Sequence, residues 1–211
     1  MERPRRLILI PAYNEEKTIK KVVTEALNVC EVCVIDDSSQ DKTGEIAKSS
    51  GAKVIRPKHN LGYEEAIGYG INWAMKKRYE FVITMDADGQ HSISDVKKTL
   101  QGLDEGYKIS ICERQLLPRS SEKIISFFTR FFFNLSDIFC GLKGYSLKNF
   151  HGVEFSTNMI GSSYLKYAQK NKFEIKKNTI LVTDREDNPR FGNSVKTEFK
   201  ILTAGIRFIT N

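Results

Sequence analysis

Short apolar runs alternating with stretches of helical spacing constrain this chain more than any other feature. Leu7-Ile8-Leu9-Ile10 stops at Pro11, and Val32-Cys33-Val34-Ile35 stops at Asp36-Asp37-Ser38-Ser39. Lys53-Val54-Ile55 is a shorter third run, and Phe81-Val82-Ile83-Thr84-Met85 leads directly into Asp86-Ala87-Asp88. Runs of this kind read as strands buried on both faces. Between them, Ile19, Val22, Val23, Ala26 and Leu27 share one helical face, and Asp41-Lys42-Thr43 opens a helix carrying Ile46 and Ala47. Ala66, Ile67, Gly70, Ile71 and Ala74 make a small-residue stripe, and Val96 and Leu100 mark one more helix. Repeated β-α units predict an α/β fold with a mostly parallel, Rossmann-like sheet, helices on both faces and right-handed crossovers. Such sheets bind ligands beyond the carboxyl ends of their strands, at a topological switch point. Three polar strand exits, 11–16, 36–41 and 86–91, are therefore expected to converge on one edge.

After residue 107 the pattern loosens. Lys108-Ile109-Ser110-Ile111-Cys112 reads as a strand, 137–143 as a Gly-containing loop, 161–170 as a helix and 174–182 as a strand. Ile124, Phe127, Phe128, Phe131, Phe132 and Leu135 recur at helical spacing, as do Phe199, Leu202, Ile206 and Ile209. No repeat or clear linker divides the chain. A single domain over 1–211 is expected, with 1–106 as its regular βα part and 107–211 as an appended C-terminal part.

Composition excludes several classes. With 40% hydrophobic and 28% charged residues the chain has an ordinary globular make-up, not that of a disordered one. Four Cys do not make a disulfide framework at this length. Cys30 and Cys33 form a C-x-x-C with no second pair to complete a zinc site, so a reduced, strand-borne pair is the expected reading. The most apolar late segment, 124–142, is broken by Arg130 and Asp137 and is too polar for the ~20 apolar residues of a membrane span. With no secretory signal visible, a cytoplasmic protein is expected, one that can still lie at the cytoplasmic face of a membrane.

Two carboxylates one residue apart at a strand exit, Asp86 and Asp88, can face one cation, with Gln90 and His91 close enough to contribute. Hard divalent ions such as Mg²⁺ or Mn²⁺ favour oxygen ligands and commonly share carboxylates with a substrate diphosphate. A solvated turn before a helix starting at Ser92 is the alternative. Asp41 suits a helix cap. Capping does not account for Asp36 and Asp37, whose mutual repulsion calls for a partner such as a base N–H or a ribose hydroxyl.

These segments resemble a known family. Residues 7–18 (L-I-L-I-P-A-Y-N-E-E-K-T), 34–43 (V-I-D-D-S-S-Q-D-K-T), Asn60-Leu61-Gly62-Tyr63 and 84–91 (T-M-D-A-D-G-Q-H) are similar, in order, to the motifs of family-2 glycosyltransferases. Among these they most resemble polyprenyl-phosphate sugar transferases of the dolichol-phosphate mannosyltransferase type. Residues 137–143 (D-I-F-C-G-L-K) resemble that group's D-x-x-x-G-F-R, and Arg190-x-Gly192-x-Ser194-x-Lys196 its later R-x-x-G-x-S-K.

The resemblance implies a GT-A fold, a UDP-, GDP- or dTDP-sugar donor, a divalent metal and inversion at the anomeric carbon. It implies that Pro11, Tyr13 and Glu15 border the nucleobase, that Asp37 with Asp36 binds base or ribose, and that Asp86, Asp88 and Gln90 hold the metal against the diphosphate. Arg114 stands where the family has an arginine near acceptor or phosphates. Arg190, Ser194 and Lys196 would close over the diphosphate. Asp137 is the first candidate general base and Glu154 the second; a phosphate acceptor, already ionised, needs little such help. Glu64 replaces a glycine of the family pattern, and Leu142-Lys143 replaces Phe-Arg, keeping the charge but losing a bidentate fork.

Charge is divided unevenly along the chain. Residues 1–106 hold 16 basic and 17 acidic side chains, whereas 107–211 hold 17 and 9, and only one of the 13 phenylalanines, Phe81, precedes residue 107. The basic, Phe-rich half fits core helices with solvated edges, a peripheral contact with an anionic membrane, or a homodimer interface. No nucleic-acid recognition motif accompanies the charge. The expected reaction is sugar transfer to a polyprenyl phosphate or lipid-linked saccharide. A transferase making a surface polysaccharide or soluble glycoside, and a non-catalytic nucleotide-sugar-binding protein, are the alternatives.

Overall fold

A computed structural model describes residues 4–150, 160–182 and 195–210. Four parallel strands, β1 (Arg6–Ala12), β2 (Glu31–Asp36), β3 (Lys53–Ile55) and β4 (Phe81–Thr84), alternate with helices α1 (Ile19–Ala26), α2 (Thr43–Ser49) and α3 (Tyr63–Lys76). Then come α4 (Ile93–Asp104), β5 (Ile109–Arg114), α5 (Ser120–Phe133), β6 (Lys143–Ser146), α6 (Ile160–Lys170), β7 (Ile175–Ile180) and α7 (Val195–Thr210). All seven strands form one sheet in the order β3-β2-β1-β4-β6-β5-β7.

The period of two in β1 divides the core. Leu7 and Leu9 pack on one side with Ile67 and Ile71 of α3, Ile125 of α5, Tyr164 and Leu165 of α6 and Phe208 of α7. Ile8 and Ile10 pack on the other with Val22 and Val23 of α1, Ala47 of α2 and Val96 and Leu100 of α4. Helices thus cover both faces, as the βα rhythm predicts. Cys33 is buried in β2 and Cys30 half-buried just before it; both are free, and burial pushes their thiols up to about 12 and about 11.

β6 is the departure from expectation. The segment reads as a loop running into polar sequence, yet Lys143, Gly144, Tyr145 and Ser146 are all buried in a strand antiparallel to both β4 and β5. It carries no apolar run because it threads a tight slot: a Cβ on Gly144 would stand 2.9 Å from Thr99 and 3.1 Å from Leu103. Antiparallel insertion has a functional consequence. The chain enters β6 at the edge where β1, β2 and β4 end, with Lys143 paired to Thr84. The 137–142 loop is thereby delivered beside Asp86.

Candidate functional site

The strand exits meet at the β1–β4 boundary, where the sheet order reverses. The first two loops are laced together. Asn14, in the left-handed region at φ 53°, donates its N–H to Ser39 Oγ (3.0 Å), and its side-chain oxygen accepts from Gln40 N–H (2.8 Å). Glu15 N–H donates to Thr43 Oγ1 at 2.7 Å, and Glu15 Oε2 accepts from Thr18 Oγ1 at 2.8 Å. Pro11 and Glu15 are buried and Tyr13 half-buried along this seam. Asp41 accepts from the N–H and hydroxyl of Thr43 at the start of α2, fulfilling its expected capping role from one residue before the cap position.

The paired carboxylates Asp36 and Asp37 find partners inside the chain. Asp36 is buried, accepts Ser39 N–H at 3.0 Å and pairs with Arg56, whose other arm donates to Ser39 O at 2.7 Å. Arg56 directly follows β3, and the parallel register of β3 with β2 sets it beside Asp36. The Asp37 oxygens accept the N–H groups of Leu61 (2.8 Å) and Gly62 (2.9 Å), fixing the loop that opens α3. Asp37→Ala would leave two half-buried donors without their charged acceptor. It is expected to destabilise the chain by about 2–3 kcal/mol and to lower the melting temperature in calorimetry.

α3 brings Tyr63 to the third exit. Its hydroxyl donates to Asp86 Oδ1 at 2.7 Å, while His91 Nε2 lies 3.1 Å from Oδ2. Burial opposes the Asp86 charge, but His91, Tyr63 and the Lys143 ammonium outweigh it and hold the carboxyl below its ordinary range. The charge is therefore present at neutral pH. The stability it contributes is lost only as pH falls below the usual carboxylate range. Burial and the Asp86 charge also push the Tyr63 phenol well above its ordinary value, so it remains a donor. The ionised carboxylate selects the His91 tautomer protonated on Nε2. Buried Nδ1 has no hydrogen-bond partner among the described residues.

On a further side the Asp86 carboxylate lies against the backbone of Gly141. A Cβ there would be 2.2 Å from Oδ2 and 2.3 Å from Oδ1. Thr84 Oγ1 holds this approach by donating to Gly141 O at 2.7 Å. Asp88, two residues after Asp86, accepts Gln90 N–H at 3.1 Å. Lys143 is buried with its ammonium on Cys140 O.

Arg114 and Asp137 are closed on one another. Arg114 grips Asp137 through Nε (2.6 Å) and Nη2 (3.1 Å), and the N–H groups of Arg114 (3.2 Å) and Phe139 (3.1 Å) bond the same carboxylate. Four bonds use the acceptor positions of Asp137, whose side chain is wholly buried. Burial alone would lower the Arg114 pKa, but Asp137 and then Glu122 reverse this and raise it above the ordinary arginine value. Glu122, buried on α5, lies 3.5 Å from Arg114 and 3.1 Å from Arg119. Sequence reasoning named Tyr63 only within the Asn60-Leu61-Gly62-Tyr63 resemblance, with no role for its hydroxyl, and missed Glu122, which is buried on α5 and carries no motif. Glu154, Arg190 and Ser194 lie outside the described residues, as does the side chain of Lys196.

Asp86 and Asp88 offer a two-carboxylate, oxygen-only donor set. Among the described residues no group of three or more His, Cys, Asp or Glu is gathered to hold a metal unaided. A pair suits a divalent ion that completes its sphere with substrate phosphates and water.

Comparison with known proteins agrees with this geometry. Residues 7–133 match the model of Glycosyl transferase family 2. The chain is 32% identical over 216 residues to MJ1222 of Methanocaldococcus jannaschii, covering 92% of this chain and 88% of that one. It is 29% identical over 119 residues to the polyprenol monophosphomannose synthase of Mycolicibacterium smegmatis, spanning 52% of this chain and 45% of that protein. Glucosyl-3-phosphoglycerate synthase from Mycobacterium tuberculosis, solved with Mn²⁺, UDP-glucose and phosphoglyceric acid, superposes with a TM-score of 0.77 at 16% identity, over 98% of this chain and 78% of that one. The sheet order, the converging exits and the extent of the family match lead to one assignment: the chain belongs to glycosyltransferase family 2 and has the GT-A fold.

Proposed function

We propose that the chain transfers a sugar from a nucleoside-diphosphate sugar to a polyprenyl phosphate, using Mg²⁺ or Mn²⁺. The observation that carries this reading is the Asp86 carboxylate, fixed by Tyr63, His91 and Gly141 at the switch point of the sheet. The mannose synthase relative supports the acceptor class, and the Mn²⁺–UDP-glucose complex of the structural neighbour supports the donor and metal. Asp86, Asp88 and Gln90 would hold the metal, which when bound offsets the charge of the departing diphosphate. The 11–16 seam and the Asp37-fixed loop would cradle the nucleoside.

In the reaction, an acceptor phosphate oxygen bonds to the anomeric carbon as the bond to the donor diphosphate breaks. The diphosphate leaves with the electron pair, and a single displacement inverts the centre. A phosphate acceptor arrives ionised, so no side chain need take a proton. This agrees with an Asp137 already saturated by Arg114 and backbone donors. We read Asp137 as the residue that aims Arg114 at the acceptor edge, and Arg190, Ser194 and Lys196 as the diphosphate-closing set. Residues 1–106 serve the donor and 107–211 the acceptor.

Transfer from radiolabelled UDP-, GDP- and dTDP-sugars to a short-chain polyprenyl phosphate tests the reading. Activity with one donor, abolished by EDTA and restored by Mn²⁺, is expected. Transfer to a soluble sugar phosphate and not to the lipid would overturn the acceptor assignment.

A further inference from the structure

Residues 60–64 step across the strand exits one after another. Asn60 Nδ2 donates to Asp37 O at 2.9 Å, and the Leu61 and Gly62 N–H groups bond the Asp37 carboxylate, just past the end of β2. Tyr63 reaches Asp86 at 2.7 Å, just past the end of β4. Glu64 comes next, half-buried in the first turn of α3. Its charge bears on the phenol of Tyr145, buried on β6; burial first, and then Glu64, push that phenol well above its ordinary value. The segment therefore runs from β2 to β4 to β6, which is the order of these strands in the sheet, with β1 between the first two.

That order lays out the substrate. Neighbouring strands lie about 4.8 Å apart, so the Asp37 and Asp86 exits are separated by two spacings, roughly 10 Å. A nucleoside at the first exit and a diphosphate at the second leave the sugar to continue in the same direction, over β6. Glu64 is the carboxylate that the segment delivers there. Asp137 and Glu122, farther along the same edge, are already taken up by Arg114, Arg119 and backbone donors. A carboxylate in a first helical turn also complements the helix dipole, but Glu65 occupies the same turn and supplies that charge. The dipole leaves a second carboxylate unexplained where the family pattern has a glycine.

We infer that Glu64 sets the sugar specificity, accepting hydrogen bonds from the hydroxyls of a neutral hexose and excluding the corresponding uronic acid. An ionised carboxylate only accepts hydrogen bonds, which suits hydroxyl donors. A sugar carboxylate would instead meet like charge, and repulsion of that kind is an effective means of discrimination. The inference rests on the nucleotide-sugar reading and adds to it the chemistry of the sugar.

Calorimetric titration in the presence of Mn²⁺ tests it without turnover. The probes are UDP, GDP and dTDP, each alone, as its glucose or mannose conjugate and as the matching uronate. Glu64→Ala is expected to weaken binding of the hexose conjugate about 10–100-fold, the worth of a hydrogen bond to a charged group, while bare diphosphate stays within about twofold. Glu64→Gln, uncharged and of similar size, is expected to narrow the preference for hexose over uronate at least about tenfold. A Glu64→Ala chain that binds the hexose conjugate as the parent does overturns the inference. So does one that loses bare diphosphate equally, since Glu64 would then shape the loop and not the sugar site. A Glu64→Gln chain with parental discrimination overturns the exclusion of uronates. A parent chain that binds none of the three diphosphates overturns the nucleotide-sugar reading itself, and the inference with it.

Discussion

Gly141→Ala is expected to lower sugar transfer about 100-fold while leaving the fold intact. The added methyl would sit 2.2–2.3 Å from both oxygens of Asp86, well inside contact distance. Tyr63 and His91 hold those oxygens from other sides, so the carboxylate has no nearby position of equal quality. It must rotate off its present line or push the 137–142 loop outward, by about an ångström. Misplacement on that scale at a reacting centre costs about 10²-fold in rate. Because the clash falls on the end of a side chain, it can be relieved locally, and the melting temperature should fall only slightly. Removing one support alone, with Tyr63→Phe, should weaken Mn²⁺ binding about tenfold, as loss of an outer contact to a metal-binding carboxylate commonly does. Titration with Mn²⁺ followed by electron paramagnetic resonance, beside the transfer assay, checks both. A Gly141→Ala chain with parental metal affinity and turnover would mean that Asp86 is not where the chemistry occurs.

Asp137→Ala should act by a different route, through stability. It strips a fully buried, bidentate partner from Arg114, leaving the guanidinium with Glu122 at 3.5 Å as its remaining carboxylate among the described residues. Breaking a buried ion pair from one side costs about 3–5 kcal/mol, and two backbone N–H groups lose their acceptor as well. The midpoint of urea unfolding should fall accordingly. Replacing both partners, with Asp137→Leu and Arg114→Met, should recover part of the loss, since no unpaired charge then remains inside. Unchanged stability in Asp137→Ala, together with lost transfer, would instead mark Asp137 as the proton acceptor of the reaction.

The first half of the fold was legible because its strands are buried on both faces. Ile8 and Ile10 serve one core and Leu7 and Leu9 the other, so apolar runs had to appear in the sequence. The converging exits followed from that parallel order. β6 was illegible for the inverse reason. The close approach of α4 demands a glycine at 144, and the place of β6 in the sheet is set by neighbours far away in sequence. The partners of Asp36 and Asp37 illustrate a second limit. A carboxylate pair at a strand exit announces that positive or N–H partners exist. Only the folded chain reveals that Arg56, Leu61 and Gly62 supply them. The phenylalanine helix shows a third: periodicity reports that a face is apolar, not that protein covers it, and Phe127 and Phe131 of α5 are exposed.

The proposed transfer requires a nucleotide sugar held at Asp86 and Asp88 through a divalent ion. Isothermal titration of UDP-, GDP- and dTDP-sugars into the chain, with and without Mn²⁺, and into Asp88→Ala, tests this most directly. One nucleotide should bind in the presence of Mn²⁺, with affinity falling about 10–100-fold or more when the metal is withheld or Asp88 is replaced. Equal binding by the parent and Asp88→Ala, or binding indifferent to Mn²⁺, would contradict it.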